Sequence, residues 1–193
     1  MLYRRALTAG YRTADCARAS AILDSGKMLG MIIRDFEERD VPAANAITNE
    51  VIIHTPIHFA YEPASDAEFA AVWRKGREKF PWLAAEEDGR FLGYCKAGTW
   101  RERDAYRFTV ETGVYVAPEA QRKGAARAMY LELFRRLKKM NIRMVIAGVT
   151  LPNDASVRLH EALGFAKVGD FKAVGRKFDA WHDVGFWQLD LGA

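Results

Sequence analysis

Apolar and polar residues follow two different periods along this chain, and the periods predict its secondary structure. Apolar residues at helical spacing predict helices that begin near Asp40, Ser65, Arg122 and Asn153. Short apolar runs bounded by turn residues predict strands at residues 31–34, 82–86, 91–97, 106–116, 144–149, 165–178 and 184–189. Because strands and helices alternate, we expect an α/β protein in which helices cover both faces of one sheet.

The predicted helices carry start and stop signals as well as an apolar face. Ser65 and Glu68 have the spacing of a capping box, and Gly164 is a natural C-terminal stop. Core-facing residues are expected in the first and third helices. They are Val41, Ala44, Ile47 and Val51, and then Ala126, Met129, Tyr130, Leu133, Phe134 and Leu137.

Two further signals concern the sheet. Asp88 and Gly89 separate two apolar runs, which is a strong hairpin signal. Residues 144–149 are continuously apolar, and such a run predicts a central strand that is covered on both faces.

Composition narrows the class of protein. The chain has 193 residues, 50% of them hydrophobic, which suits one well-buried domain. The net charge of +4 comes from scattered residues without a basic stripe, so we expect no nucleic-acid partner. The apolar runs are too short to span a membrane, so we expect no membrane partner either. Cys16 and Cys95 cannot form a disulfide framework or a zinc site, so we expect no metal and a reducing, cytoplasmic compartment.

Residues 1–30 differ from the rest of the chain. They contain Arg4, Arg5, Arg12 and Arg18 but lack the apolar core of a secretory signal. We expect an N-terminal extension, disordered or dispensable, ahead of a single domain at residues 31–193. An organelle transit peptide is the alternative for this segment.

The charges of residues 121–127 predict an anion site. Cations would crowd the first turns of the third helix, where the macrodipole favours acidic residues. Backbone N–H groups at a helix start bind phosphate, and Gly124 followed by Ala125 and Ala126 lets a diphosphate approach closely. We therefore expect a phosphate-bearing cofactor here. The cations of the run are Arg122, Lys123 and Arg127.

The same run resembles the phosphate motif of the GNAT acyltransferase superfamily, Gln/Arg-x-x-Gly-x-Gly/Ala, which Gln121, Gly124 and Ala126 satisfy. Residues 159–165 nearly match the later Leu-Tyr-x-x-Leu-Gly-Phe motif, with His160 where many members carry a tyrosine proposed as general acid. Over residues 31–191 the chain is similar to the phosphinothricin and methionine sulfoximine/sulfone N-acetyltransferases. The matching stretches are residues 80–83, 109–116, 151–154, 156–164 and 181–187.

The resemblance implies a GNAT fold with a mixed, mostly antiparallel central sheet, and acetyl-CoA as co-substrate. It also implies N-acetylation of a small amino acid analogue by direct transfer in a ternary complex, and a homodimer. Asn153 either contacts acetyl-CoA, as in the family, or caps the helix that follows it. The residues assigned to acetyl-CoA are Val114, Tyr115, Val116, Arg122, Lys123, Gly124, Ala125, Ala126, Arg127 and Asn153.

Acetyl transfer to an ammonium needs a base, a stabilised carbonyl oxygen and a protonated leaving thiolate. Glu111 is the candidate base, because partial burial on its strand would raise its pKa; the alternative is a solvent-facing carboxylate. His160 either relays a proton or is a structural histidine. Tyr115 is a conceivable acid for the thiolate.

Candidate acceptor-binding residues follow from the anionic groups of such substrates. Arg103 matches an arginine of the phosphinothricin group and would pair with an anion, unless it is a surface arginine. Glu111 would contact the amine. Aromatic residues that could line the pocket, or could belong to the core, are Phe59, Trp100, Tyr106 and Tyr115.

Two other functions remain open at this stage. A protein or peptide N-acetyltransferase would need an open groove for a chain, whereas loops rich in aromatic residues favour an enclosed pocket. A non-catalytic acyl-CoA-binding regulator would bind the thioester without turnover.

Overall fold

The structure, a computed structural model, describes residues 30–192, and these residues form one sheet of seven strands. The order across the sheet is β1-β2-β3-β4-β5-β7-β6, and all neighbours are antiparallel except β4 and β5, which are parallel. The strands are β1 (Met31–Asp35), β2 (Trp82–Glu87), β3 (Arg90–Thr99), β4 (Thr109–Val116), β5 (Met144–Leu151), β6 (Ala166–Lys177) and β7 (Ala180–Asp190). The expected mixed, mostly antiparallel sheet is confirmed.

Four α-helices among the described residues cover the two faces of this sheet. They are α1 (Val41–His54), α2 (Asp66–Arg77), α3 (Ala125–Lys139) and α4 (Asp154–Ala162). On one face, α1 and α2 pack side chains such as Val41 and Trp73 around Trp82 and Tyr94. On the other face, α3 contributes the larger core. Its buried residues are Ala125, Met129, Tyr130, Leu133, Phe134 and Leu137.

Several local predictions are confirmed in detail. Ser65 and Glu68 form the capping box at the start of α2, where the Ser65 N–H donates to Glu68 Oε2 at 2.8 Å. Asp88 and Gly89 connect β2 to β3, and both have positive φ as a tight hairpin requires. α4 ends at Ala162, and Gly164 follows the helix end with a φ of 91°.

The buried face of α1 differs from the prediction. Ile47 and Val51 are only half-buried, while Asn45 and Thr48 are buried with Val41, Ala44 and Ile52. These polar side chains have partners: Thr48 Oγ1 lies 2.7 Å from the Tyr94 hydroxyl, and Asn45 Nδ2 donates to the Ala64 carbonyl at 2.9 Å. The buried face of α1 predicted from apolar spacing was therefore wrong in part, because hydrogen-bond partners allow polar side chains to be buried.

The predicted boundaries around residues 106–126 also need correction. Tyr106 ends a 3₁₀ turn, Asp104–Tyr106, and β4 begins only at Thr109. α3 begins at Ala125 and not near Arg122, because Arg122 and Gly124 have φ of 59° and 86°. As a result Ala125 is buried, whereas Ala126, expected in the core, is only half-buried.

β5 lies inside the sheet, but it is not covered on both faces as predicted. Val145, Ala147 and Val149 are buried, whereas Gly148 between them is exposed. One face of β5 therefore belongs to the core and the other opens to solvent beside β4.

Two expectations concern the chain ends and membranes. β1 begins at Met31, and the expectation of a disordered or dispensable extension falls on residues outside the described range. Of the helices formed by residues 30–192, none combines the length and apolar character needed to cross a bilayer.

Candidate active site

The parallel pair β4 and β5 separates in the middle of the sheet. Its ladder joins Thr109 to Met144, Val110 to Val145 and Glu111 to Ile146, and pairing stops there although both strands continue. Beyond Glu111, the edge of β4 that faces β5 therefore has backbone groups without a strand partner. An extended ligand can take those hydrogen bonds, because such an edge accepts an added strand.

The gap between the two strands opens into a cavity of about 610 Å³, which we call the β4–β5 cavity. Its walls include residues 112–116 of β4, residues 148–150 of β5, the start of α3 and one side of α4. Of the ten residues assigned to acetyl-CoA, all but Lys123 line this cavity; six of these nine are Val114, Tyr115, Val116, Gly124, Arg127 and Asn153. Arg122, Ala125 and Ala126 line it as well.

The start of α3 supplies unused N–H groups to this cavity. The first intrahelical bond runs from the Ala128 N–H to the Gly124 carbonyl at 2.9 Å, so the N–H groups of residues 125–127 precede the helical ladder. The first turn has no acidic residue. Among residues 30–192, no carboxylate forms an ion pair with Arg122, Lys123 or Arg127, although Lys123 lies close enough to lower the pKa of Glu119.

These observations match a diphosphate-bearing ligand. An anion site results from three features together: N–H groups without an intrahelical acceptor, the positive end of the helix dipole, and cations without carboxylate partners. Gly124 has no Cβ, so it adopts its positive φ without strain and lets a bulky anion approach the backbone. A group with the charge of the acetyl-CoA diphosphate fits the residues present.

The helix-cap alternative for Asn153 is confirmed. Its Oδ1 accepts a hydrogen bond from the Ser156 N–H at 3.1 Å, which caps α4. The residue also lines the β4–β5 cavity. With Oδ1 engaged in the cap, the amide Nδ2 is the group left for a ligand.

His160 is buried, with 4% of its surface exposed, and both ring nitrogens have partners. Nδ1 lies 2.8 Å from the Ser156 carbonyl, and because a carbonyl only accepts, Nδ1 carries the proton. Nε2 therefore accepts from the Tyr130 hydroxyl at 3.1 Å. Burial lowers the pKa of His160, so the neutral ring is favoured. This arrangement corresponds to the structural alternative.

Tyr115 stands on the opposite sheet face from Tyr130 and stacks on Tyr94, with ring centroids 5.2 Å apart. Burial raises the pKa of Tyr115 to about 12. The phenol is thus protonated at neutral pH and is a weaker proton donor than an ordinary tyrosine.

Glu111 lies at the last paired position of the β4–β5 ladder, at the point where the strands separate. Partial burial raises its pKa, while the charges of Lys96 and Arg101 oppose that shift. Gly148 lies beside it on β5, where a Cβ would stand 3.4 Å from Glu111 Oε1. Because Gly148 is exposed, the space next to the carboxylate is open to a second substrate.

An aromatic wall adjoins this carboxylate. The Phe186 ring contacts Trp100 at a centroid distance of 5.7 Å and Phe171 at 5.3 Å, both edge-on. A Cβ at Gly148 would lie 3.3 Å from the same Phe186 ring. We call Glu111, Trp100, Gly148, Phe171 and Phe186 the Glu111 cluster.

The predicted acceptor residues are not all in this cluster. Arg103 is exposed at the start of the 3₁₀ turn, and the cations that act on the Glu111 pKa are Lys96 and Arg101. Tyr106 is 40% exposed in the same turn. Phe59 packs on the β6–β7 hairpin, where a Cβ at Gly175 would collide with its ring.

The segment that carries Phe59 is held by a buried lysine. Lys177, at the end of β6, is 2% exposed, and its ammonium donates to the carbonyls of Ile52 and His58, the latter at 2.7 Å. The Tyr61 hydroxyl donates to the Arg176 carbonyl at 2.6 Å. Residues 52–61 include the end of α1 and the loop that follows it beside Tyr115. These contacts therefore attach them to the hairpin.

Lys96, Arg101 and Gly148, which lie beside Glu111, were not among the site residues predicted from the sequence. A lysine within the apolar run 91–97 was one available signal, because a charged residue is rarely placed among buried strand neighbours. A glycine inside the apolar run 144–149 was another, since glycine in a strand often marks close approach of another group. No group of three or more His, Cys, Asp or Glu side chains suited to a metal occurs within residues 30–192.

Comparisons with known proteins agree with this geometry. The sequence profile described as "Acetyltransferase (GNAT) family" matches residues 48–165. The phosphinothricin N-acetyltransferase of Streptomyces viridochromogenes is 40% identical over 159 residues, which cover 82% of this chain and 87% of that protein. The L-methionine sulfoximine/L-methionine sulfone acetyltransferase of Salmonella typhimurium is 35% identical over 163 residues, 83% of this chain and 95% of the relative.

A solved structure shares the fold. The GNAT superfamily phosphinothricin acetyltransferase from Sinorhizobium meliloti, in complex with AcCoA, has a TM-score of 0.81 and 33% identity. The match covers 85% of this chain and 90% of that one. Together with the separated β4–β5 pair and the anion site at α3, these similarities establish that the chain belongs to the GNAT acetyltransferase family.

Proposed function

We propose that this protein is an N-acetyltransferase that moves the acetyl group of acetyl-CoA to the amino group of a small amino acid analogue. The observation that carries the proposal is the position of Glu111, a partly buried carboxylate where β4 and β5 separate. Phosphinothricin, methionine sulfoximine and methionine sulfone define the acceptor class, in line with the names of the relatives.

Acetyl-CoA supplies an activated thioester, and the residues of the β4–β5 cavity bind and orient it. The start of α3, with Arg122, Lys123 and Arg127, binds the diphosphate through backbone N–H groups and charge. The free edge of β4 at Val114, Tyr115 and Val116 hydrogen-bonds the pantetheine arm. Asn153 contributes its Nδ2 from the cap of α4.

Glu111 acts as the base. The acceptor arrives as an ammonium, and Glu111 takes one proton from it, directly or through water, so that the amine lone pair can form the C–N bond. The C–S bond then breaks, and the second proton that the nitrogen loses as the amide forms passes to the leaving thiolate. A carboxylate whose pKa is raised by burial is a stronger base than an exposed one, which suits this step.

Tyr115 and His160 have supporting roles in this proposal. The high pKa of Tyr115 makes its hydroxyl a hydrogen-bond donor to the leaving sulfur more than a proton source. His160 positions Tyr130 through the bond to Nε2 and does not touch the reacting atoms. Cys95 carries no acyl group, because burial raises the pKa of its thiol.

The acceptor binds at the Glu111 cluster. Trp100 and Phe186 contact its aliphatic part. Arg103, with its neighbour Arg101, attracts the anionic phosphinate or the polar sulfone oxygens.

An acceptor screen with thiol-release detection tests this proposal. Phosphinothricin, methionine sulfoximine, methionine sulfone, ordinary amino acids and an N-terminal peptide are ranked by kcat/KM at fixed acetyl-CoA. We expect the first three to lead. Peptide preference would favour a protein acetyltransferase, and acetyl-CoA binding without thiol release from any acceptor would favour the non-catalytic regulator.

We also infer a homodimer. Within the described residues, the edge strand β6 is exposed along nearly its whole length, and such edges are normally covered. Its hairpin also exposes large apolar side chains, which are Val168, Phe171, Val174, Phe178 and Trp181. Light scattering after size exclusion should give twice the chain mass of 21.8 kDa, and a monomer at micromolar concentration would refute the dimer.

The cellular setting follows from the co-substrate. Because acetyl-CoA is formed and consumed inside the cell, we place the activity in the cytoplasm. Acetylation of an inhibitory amino acid analogue would also confer resistance to it. Growth on phosphinothricin of a sensitive host expressing this chain, compared with the Glu111→Gln variant, measures that effect.

A further inference from the structure

Lys96 is a half-buried cation within an otherwise apolar strand. It pairs with Trp82 on β2 and with Gly113 on β4. Because side chains two residues apart on a strand share a face, Lys96 stands on the same sheet face as Glu111. Gly113 leaves room for it, since a Cβ there would lie 3.9 Å from Lys96 Cε.

The Lys96 ammonium has few partners among the described residues. Its Nζ lies over the Trp82 ring, 4.7 Å from the centroid. Burial lowers its pKa and the Glu111 charge opposes that shift, with no hydrogen bond contributing. A partly desolvated ammonium that finds no acceptor among residues 30–192 is costly unless a ligand pairs with it.

The separation of Lys96 and Glu111 suits one kind of ligand. They are diagonal neighbours on adjacent strands, so their Cα atoms are about 7–8 Å apart and their Cβ atoms somewhat closer. An α-amino acid carries an ammonium and a carboxylate on one carbon. When such an amino acid lies between these two side chains, its ammonium faces Glu111 and its carboxylate faces Lys96.

Other charged groups near this pair do not compete for the carboxylate. The pKa of His58 is lowered by burial and by the charges of Lys96 and Lys177, so its ring is neutral at pH 7. The Lys177 ammonium is occupied by two backbone carbonyls. Arg101 and Arg103 are exposed, and ordering a solvated side chain reduces the gain from pairing.

We propose that Lys96 binds the α-carboxylate of the acceptor while Glu111 binds its ammonium, so that this pair selects α-amino acids over simple amines. The inference rests on the proposed acetyltransferase activity and specifies its substrate class. Lys96 is then a specificity-determining residue, and Arg101 and Arg103 are left for the side chain of the acceptor.

The test compares L-methionine sulfone with its α-carboxamide, which keeps the amine and the side chain but removes the anion. Rates are compared per unprotonated amine, because the carboxamide lowers the amine pKa. For the wild-type chain we expect kcat/KM about 10- to 100-fold higher for the acid, the range of a hydrogen bond between charged groups. At a pH where Glu111 is ionised in both proteins, Lys96→Met should remove that preference by raising KM for the acid, with little change for the carboxamide.

Three controls separate recognition from folding. Lys96→Arg should restore part of the preference, because it keeps the charge. Lys75→Met removes an exposed cation of α2 and should leave both acceptors unchanged. An unchanged KM for acetyl-CoA in Lys96→Met shows that the fold and the β4–β5 cavity are intact.

Equal kcat/KM for acid and carboxamide in the wild-type chain would overturn the inference even if Lys96→Met does not fold. The same conclusion follows if Lys96→Met slows both acceptors equally. In either case acetylation by the wild-type chain would leave the proposed function standing. Absence of thiol release from any amine would refute the proposed function, and this inference with it.

Discussion

At the scale of single residues, Glu111 is the group whose surroundings set its chemistry. The end of the β4–β5 ladder fixes its backbone, partial burial raises its pKa, and Gly148 leaves open space beside it. Lys96 and Arg101 limit the rise in pKa, so the carboxylate remains ionisable. These three neighbours thus give the carboxylate the properties that the proposed base needs: it is ionisable, partly desolvated and accessible.

Replacing Glu111 with glutamine should lower kcat by about 100- to 10,000-fold, the usual contribution of a positioned base. The KM for acetyl-CoA should stay the same, because Glu111 is not among the residues of the β4–β5 cavity. The melting temperature should not fall, since an amide has no charge to desolvate. Glu50→Gln, at a carboxylate that is 68% exposed, is the matched control; unchanged kcat in Glu111→Gln would remove Glu111 from the mechanism.

The pH profile tests the same residue without substitution. As the proposed base, Glu111 must be ionised, so kcat/KM should fall as the pH drops through its raised pKa. Burial disfavours the ionised form only in the folded state, so the acid limb should lie above the ordinary carboxyl range. Lys96→Met removes an opposing charge and should move that limb to still higher pH; a limb at the pKa of a free glutamate would contradict this account.

At the scale of elements, the turn before α3 creates the anion site. Arg122 and Gly124 both have positive φ, which brings the chain into the helix with its first N–H groups free. Asparagine, aspartate and glycine tolerate that region best, so Arg122 adopts it at some cost. The turn therefore keeps a backbone conformation that leaves the first N–H groups of α3 available to an anion.

Gly124→Ala should destabilise the fold by about 1–2 kcal/mol, because an L side chain at φ of 86° is strained. It should also raise the KM for acetyl-CoA several-fold. Gly89→Ala is the control, since Gly89 has φ of 77° and open space around it in the β2–β3 hairpin. We expect a similar drop in melting temperature there with an unchanged KM; equal effects on KM would show that strain alone is responsible.

At the scale of the whole molecule, distant parts of the chain meet through Lys177. Its ammonium connects the end of β6 to carbonyls 125 and 119 residues earlier, at Ile52 and His58. The residues it holds lead into Phe59 and the loop beside the Glu111 face. The acceptor side of the site therefore depends on the C-terminal hairpin.

Lys177→Met should cost about 1–3 kcal/mol of unfolding free energy, because two carbonyls lose a buried partner. Hydrogen–deuterium exchange should rise in residues 52–61. Lys172→Met in the same hairpin is the comparison, as its side chain is 71% exposed and pairs with Asp183 at the surface. If exchange in residues 52–61 is the same in both variants, Lys177 does not hold that segment.

Local signals along the chain were enough to predict its helices and hairpin and the expected anion-binding stretch. Helical periodicity, the Ser65 capping box and the Asp88-Gly89 turn are local signals, so the helices and the hairpin were predictable. The cations and small residues of 121–127 lie in one stretch, so the anion site and the family resemblance were predictable as well.

The residues that surround Glu111 could not be predicted from the sequence, because folding brings them together. Lys96, Gly148 and Phe186 lie on three different strands, and strand register, which depends on non-local pairing, brings them together. Polar burial of Asn45 and Thr48 depends on partners elsewhere in the chain, as does the satisfied state of His160. Local patterns report the covalent neighbours of a residue, whereas burial, pKa and partners are set by residues that only folding brings near.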